Sequence, residues 1–300
     1  MYQDKAAGRN AARFFDPEMQ AVVAARAALE SVLRLALQGR QLALHYQPVA
    51  DETEAVIGAE ALARWSHPGC GMVPPGAFIS LAEQTGWILP LGQWMIQSAC
   101  EQLHTWSAET VTEDLGISVD ISARQFRQPE FVQQVIDTIR TIRTIGTVRT
   151  IRTIGVNPAL LTLELTENLL LGDVDDAIAK ITRLQAFGVG FSLDDFGTGN
   201  SSLAYLKRLP LEQIKIDQSF VRDVSEDPND AAIARTVIAL GHSMGLTVVA
   251  EGVETAGQRE LLLRDGCRVF QGYLFGRPVP IDQFSPAQVL PVTDPCQFQI

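Results

Sequence analysis

The sequence predicts an α/β fold of the (β/α)₈ TIM-like barrel type, preceded by an N-terminal linker helix. Three observations carry that expectation. The chain has 300 residues, above one ordinary domain and within the size of a single barrel. From residue 42 onward, short apolar runs of strand length alternate with amphipathic helical stretches. No glycine-rich phosphate fingerprint marks an open doubly wound sheet. GTGNSS at 197–202 is not GxGxxG, and no P-loop Lys-Ser/Thr follows it.

Residues 1–16 are polar with an aromatic end and read as the tail of another unit. Residues 17–40 read as a helix: Pro17 opens it, Val22, Val23, Leu29, Val32, Leu33 and Leu37 form an apolar stripe, and Gly39 stops it. That helix either packs on the main domain or serves as a signalling linker. The main domain spans 41–292. Its strand candidates are 42–49, 55–65, 117–122, 160–167, 189–196, 212–220, 246–254 and 269–275. Helices are expected at 173–187 and 228–244 between them. Residues 140–156 break this rhythm, because RTIRTIGTV is nearly copied by RTIRTIGV. Isoleucine or valine recurs there every three residues, which drifts around a helix, so the stretch reads as an insertion loop after a helix ending near 139.

Composition narrows the function classes. Hydrophobic residues make up 46% of the chain, enough for a large core. A net charge of −11 argues against a polybasic DNA binder or a membrane-surface binder. Cys70, Cys100, Cys267 and Cys296 show no CxxC spacing, which fits a reducing, cytoplasmic setting. The early apolar stretch 21–37 carries Arg26, Glu30 and Arg34, so it does not read as a membrane span.

The chemistry is expected from carboxylates. Glu60, Asp120, Glu164, Glu167, Asp194, Asp195, Asp217, Glu251 and Glu254 each stand in or just after an apolar run. One such acid is an ordinary helix cap or rim residue. A barrel converges all of them on one mouth, where they repel unless a cation joins them. Lys215 alone cannot balance them. The histidines (His45, His67, His104, His242) lack ligand spacing, so an oxygen-only set favours two hard ions, Mg²⁺ or Mn²⁺. Such a site suits a metal-dependent phosphoesterase, and Lys215 beside bound magnesium equally suits an enolase-type lyase.

The motifs resemble those of EAL domains, the cyclic di-GMP phosphodiesterases. Glu60-Ala61-Leu62 with Ala63-Arg64-Trp65 is similar to the signature itself, and Gln47-Pro48 to the first-strand motif. Pro75, Phe78-Ile79, Ala82-Glu83 and Gly86 resemble the helix signature. Glu164-Leu165-Thr166-Glu167 resembles ExTE, Asp194-Asp195-Phe196-Gly197 resembles DDFG, and Lys215-Ile216-Asp217 resembles KID. Glu251-Gly252-Val253-Glu254 resembles EGVE, and Gln271-Gly272-Tyr273 the glutamine motif. The resemblance implies hydrolysis of cyclic di-GMP to linear pGpG. It implies metal ligation by Glu60, Asp120, Glu164, Asp194 and Asp195, with Glu251, Lys215 and Glu60 as catalytic residues. Substrate contacts would come from Gln47, Leu62, Arg64, Asp217, Glu254 and Gln271, and Glu167 would hold the loop over the site. It further implies a homodimer through the element after DDFG. The end of residues 1–16 (KAAGRNAARFF at 5–15) resembles the end of a GGDEF diguanylate cyclase domain, which would place GGDEF and sensor domains upstream in a parent protein.

Two positions depart from the family pattern. Asp120 replaces the usual asparagine, and Asn200 replaces the usual Tyr or Phe. Both leave the oxygen ligands in place, so an enzyme is expected. The alternative is a weak or inactive EAL domain acting as a cyclic di-GMP receptor.

Overall fold

The structure, a computed structural model, describes residues 32–37, 39, 41–145, 156–167, 169, 173–197 and 206–286. The expected tail 1–16, most of the expected linker 17–40, and Asn200 lie outside them. Among the described residues ten strands form one sheet in the order β10-β1-β9-β8-β7-β6-β5-β4-β2-β3, and β1 pairs back on β2. The barrel wall runs through β1 (Leu42–Asp51), β2 (Val56–His67), β4 (Gly116–Ile121), β5 (Leu161–Thr166), β6 (Gly190–Phe196), β7 (Gln213–Ile216), β8 (Thr247–Ala250) and β9 (Val269–Gln271). Strands β3 (Gly71–Val73) and β10 (Val279–Pro280) only extend it.

One strand departs from an all-parallel barrel. β1 runs antiparallel to both β2 and β9, whereas β2, β4 and the later wall strands pair in parallel. The cause is local. Where a parallel partner needs a helical crossover, only the turn at 52–55 joins β1 to β2. Asp51 Oδ1 closes that turn by accepting from the N–H groups of Thr53 and Ala55 at 2.8 and 3.1 Å.

A short helix over 32–37, α1, buries Leu33 and Ala36 in the core. The longer helices are α2 (Pro75–Thr85), α3 (Ile88–Trp106), α5 (Phe131–Ile145), α6 (Val174–Gln185), α8 (Pro228–Ser243) and α9 (Ala256–Arg264). Two single-turn helices, α4 (Ala123–Phe126) and α7 (Gln218–Arg222), leave the ends of β4 and β7. Caps set the boundaries. Asp173 and Asp227 accept backbone N–H groups at the starts of α6 and α8, and Gly86 ends α2 in the left-handed region at φ 87°.

The repeat corrects the expected loop: α5 continues through Ile145, six residues into it. Val132, Val135, Ile136, Ile139 and Ile142 are buried, so the three-residue spacing carries an established helical stripe about one turn further, to Ile142. The Thr141 hydroxyl donates back to the Asp137 carbonyl at 2.7 Å, and Arg140 stacks over Phe187 at 5.4 Å. The rest of the repeat up to Val156 lies outside the described residues.

The barrel interior is polar. Gly241 of α8 packs on Val248 and Ile214, which therefore face outward, and strand alternation turns Lys215 inward. The same alternation gives the inner face Glu60, Ser118, Asp120, Thr162, Glu164, Ser192 and Asp194. The apolar residues Ile117, Val119, Leu163, Leu165, Phe191 and Leu193 pack outward beneath the helices. An ordinary barrel fills this space with branched aliphatic residues.

Candidate active site

Lys215 is the centre of the site. Its side chain is 2% exposed, and Nζ lies 2.6 Å from Glu164, 2.6 Å from Glu251, 3.3 Å from Glu60 and 3.4 Å from Asp194. Strand pairing puts these groups together. Gln47 stands opposite Glu60, Asp120 beside Glu164, and Thr166 beside Asp194. Gln271 Nε2 donates to Glu60 Oε2 at 2.5 Å and to Gln47 Oε1 at 3.2 Å, which fixes the Glu60 rotamer.

Asp194 and Asp195 cannot both face inward on a regular strand, where neighbours alternate. The β6–β7 register shifts between Leu193 and Phe196, and Asp195 takes φ 54°, in the left-handed region. This bulge turns both carboxylates to one side. One oxygen each from Glu60, Asp120 and Glu164 lies within 4.8 Å of the others, and the same holds for Asp194, Asp195 and Glu251. Glu251, expected as an acid/base residue, thus also completes the second triplet.

The charge balance is strained. Burial pushes the Glu164 carboxyl up to about 7, against the pull of Lys215 and with help from Glu60 and Asp194. Glu251 is held well above the usual carboxylate range, first by burial and then, past the opposing Lys215, by Asp194 and Glu60. Asp120 is also raised well above that range, by the surrounding protein and by Glu60 and Glu164. Its side chain reaches water at the mouth, so repulsion from its neighbours is the cause that counts. Burial and Asp194 push Asp195 up to about 6. Lys215 moves the opposite way: the surrounding carboxylates outweigh its burial and hold its pKa well above the usual lysine value.

These residues fit a hard divalent cation. Every donor is an oxygen, one ammonium faces a surplus of carboxylates, and buried Asp194 Oδ1 makes no hydrogen bond, only an ion pair with Lys215 at 3.4 Å. Bound cations would take the place of the protons that the raised carboxyls hold.

Beside the cluster opens a cleft of about 240 Å³, lined by residues that include Gln47, Leu62, Glu251, Glu254, Gln271 and Tyr273. The two expected substrate residues outside this lining are Arg64 and Asp217. Arg64 is half-buried on the Glu60–Leu62 face of β2, and its Nη1 donates to the Ala63 carbonyl at 2.9 Å. Asp217 caps α7 by accepting from the Ser219 N–H at 2.8 Å, and it shares a hydrogen bond with Asp195. Glu167 is buried, and neither of its carboxylate oxygens is hydrogen-bonded among the described residues; the loop it is expected to hold falls largely outside them.

Sequence reasoning did not single out Gln218, Gly252 or Tyr273 as site residues, yet all three line the cleft. Gly252 at φ 66° abuts Gln218, and a side chain at Gly272 would collide with the backbone of Val253. Tyr273 carries the Arg277 guanidinium 4.0 Å above its ring. Their signal was membership of EGVE for Gly252 and of QGY for Tyr273, and adjacency to KID for Gln218.

The profile of the EAL domain family matches residues 30–278. The chain is 43% identical over 284 residues to the bifunctional diguanylate cyclase/cyclic di-GMP phosphodiesterase MucR of Pseudomonas aeruginosa, covering 94% of this chain and 40% of that protein. It is 38% identical to the cyclic di-GMP phosphodiesterase NbdA of the same organism, covering 94% of this chain and 34% of that one. The chain therefore spans well under half the length of these curated relatives. Among solved structures it is similar to the PaMucR phosphodiesterase in complex with c-di-GMP. The TM-score is 0.78 at 43% identity, covering 85% of this chain and 99% of that one. The EAL enzyme Bd1971 with cAMP and cyclic di-GMP bound matches at TM-score 0.79 and 32% identity, covering 88% and 69%.

Proposed function

The chain belongs to the EAL domain family, and from that premise we propose that it hydrolyses cyclic di-GMP to linear pGpG with two Mg²⁺ or Mn²⁺ ions. The observation that carries the reading is the pair of carboxylate triplets around Lys215, opening on the cleft. Glu60, Asp120 and Glu164 would hold one ion, and Asp194, Asp195 and Glu251 the other. When bound, such ions would supply an activated water and neutralise charge on the scissile phosphate. Glu251 accepts the water's proton, and Lys215 orients the nucleophile and steadies developing charge. Gln271 keeps Glu60 in place through its 2.5 Å hydrogen bond. Arg64 serves the substrate phosphate, and Gln47, Leu62 and Glu254 the rest of the ligand.

The test is hydrolysis of cyclic di-GMP with Mg²⁺, with Mn²⁺ and with chelator. Release of pGpG with either ion and none with chelator is the expected result; binding without pGpG over hours sinks the enzyme reading. Metal binding is expected to release protons and to weaken as pH falls through about 7, because Glu164 must lose its proton to ligate. Proton release in two buffers of different ionisation enthalpy checks this.

Asp120 supplies an anion where the family resemblance has a neutral amide. The extra charge binds ions more tightly and blunts them as Lewis acids. Asp120→Asn is expected to raise turnover, to raise the metal concentration for half-maximal rate by roughly tenfold, and to raise the Tm of the metal-free protein. Unchanged or lower turnover contradicts the charge argument.

A homodimer through the element after DDFG, a cytoplasmic setting, and a parent chain with an upstream GGDEF unit complete the reading. No helix among the described residues is long and apolar enough to cross a membrane.

A further inference from the structure

One buried side chain outside the carboxylate cluster spans two walls of the cleft. Gln258, in the first turn of α9, is 7% exposed. Its Oε1 accepts the backbone N–H of Glu254 at 2.8 Å and of Thr255 at 2.9 Å. Its Nε2 donates to the Arg222 carbonyl at 2.8 Å, 36 residues away. A capping box accounts for only the Thr255 contact. The other two reach the ends of separate segments. Glu254 closes the loop that starts at Glu251, and Arg222 is the last residue of α7, which starts at Gln218 beside Asp217. At their other ends these segments touch, where Gly252 abuts Gln218, and both residues line the cleft.

We propose that Gln258 is a positioning residue that clamps the Glu251–Glu254 loop to α7, and so sets the width of the cleft and the placement of Glu251 against Lys215. It is absent from the cleft lining, so it acts through the two walls and does no chemistry itself. The amide suits this post because one short side chain accepts from one wall while donating to the other. Glutamate keeps the acceptor and loses the donor; methionine loses both at similar volume. The consequence for catalysis rests on the hydrolase reading, whereas the clamp itself does not.

The test uses the full chain with Gln258→Met, Gln258→Glu and Thr255→Ala. Melting curves, Mn²⁺-supported hydrolysis of cyclic di-GMP and amide hydrogen exchange are read on each. Gln258→Met is expected to lower kcat by about 10- to 100-fold, the scale of a misplaced catalytic group. The amides of 217–222 and 251–255 should exchange faster together. Gln258→Glu is expected to keep protection at 251–255, lose it at 217–222, and raise KM. Thr255→Ala, which weakens only the cap, is expected to lower Tm and leave kcat and KM unchanged. The clamp is overturned if Gln258→Met lowers Tm alone, if faster exchange stays confined to 254–255, or if Thr255→Ala costs as much turnover. Should the unaltered chain release no pGpG, the hydrolase reading fails, and the exchange pattern still decides the clamp.

Discussion

Lys215→Met is expected to cut turnover severely and to make the metal-free fold strongly pH-dependent. The ammonium lies within 3.4 Å of four carboxylates in a buried site. Removing it leaves like charges facing each other with little water to screen them, which costs roughly 3–5 kcal/mol for a broken buried pair. The carboxyls respond by holding their protons. Glu164 is already raised to about 7 with Lys215 present, and without it moves higher. A carboxyl raised in the folded state favours folding most below its unfolded pKa, and that contribution is lost as pH rises through the folded value. The variant's stability deficit is therefore expected to be small near pH 5 and to grow through pH 7 and above. Denaturant melts with chelator at pH 5 and pH 8 measure it, and equal deficits at both would contradict the charge account. Turnover should fall by about 10²–10³ or more, the scale of losing one preorganised electrostatic donor.

Glu251→Gln is expected to lower kcat by about 10²–10⁴, the range for a lost general base. The amide preserves shape and can still offer a carbonyl oxygen, but it cannot take a proton. The diagnostic readout is the pH–rate profile. A base works only when deprotonated, so the unaltered chain gains rate as pH rises through the base's pKa, and the variant should lose that ascending limb. Divalent binding should persist in weakened form, because Glu60, Asp120 and Glu164 stand apart from the change. Only a few-fold loss with the acid limb intact would mean that another group accepts the proton.

Lys215 and Glu251 are both legible in the amino-acid sequence. Strand-length apolar runs each ending in an acid make a barrel and a cluster of carboxylates readable, because strand alternation and βα succession repeat along any such chain. Other particulars are not legible there. The antiparallel β1 is hidden because its side-chain pattern is the same in either direction; only the short turn at 52–55 bears on it, and its meaning depends on pairing partners. The helical start of the repeat is hidden because its stripe continues one laid down upstream, from Val132 to Ile139. The role of Gln258 is hidden because its partners lie four residues before it and 36 before it.

By itself the sequence determined the fold class and a surplus of acids at strand ends, since those follow from residue type and local periodicity; the choice among those acids came from the resemblance to the EAL family. The tertiary structure alone decided that the β6 bulge turns Asp194 and Asp195 the same way, that Glu251 joins them, and that Lys215 sits among the acids as their internal counter-ion. Those are facts of distance, and distance between strands is set by closure of the barrel, which no local stretch of chain encodes.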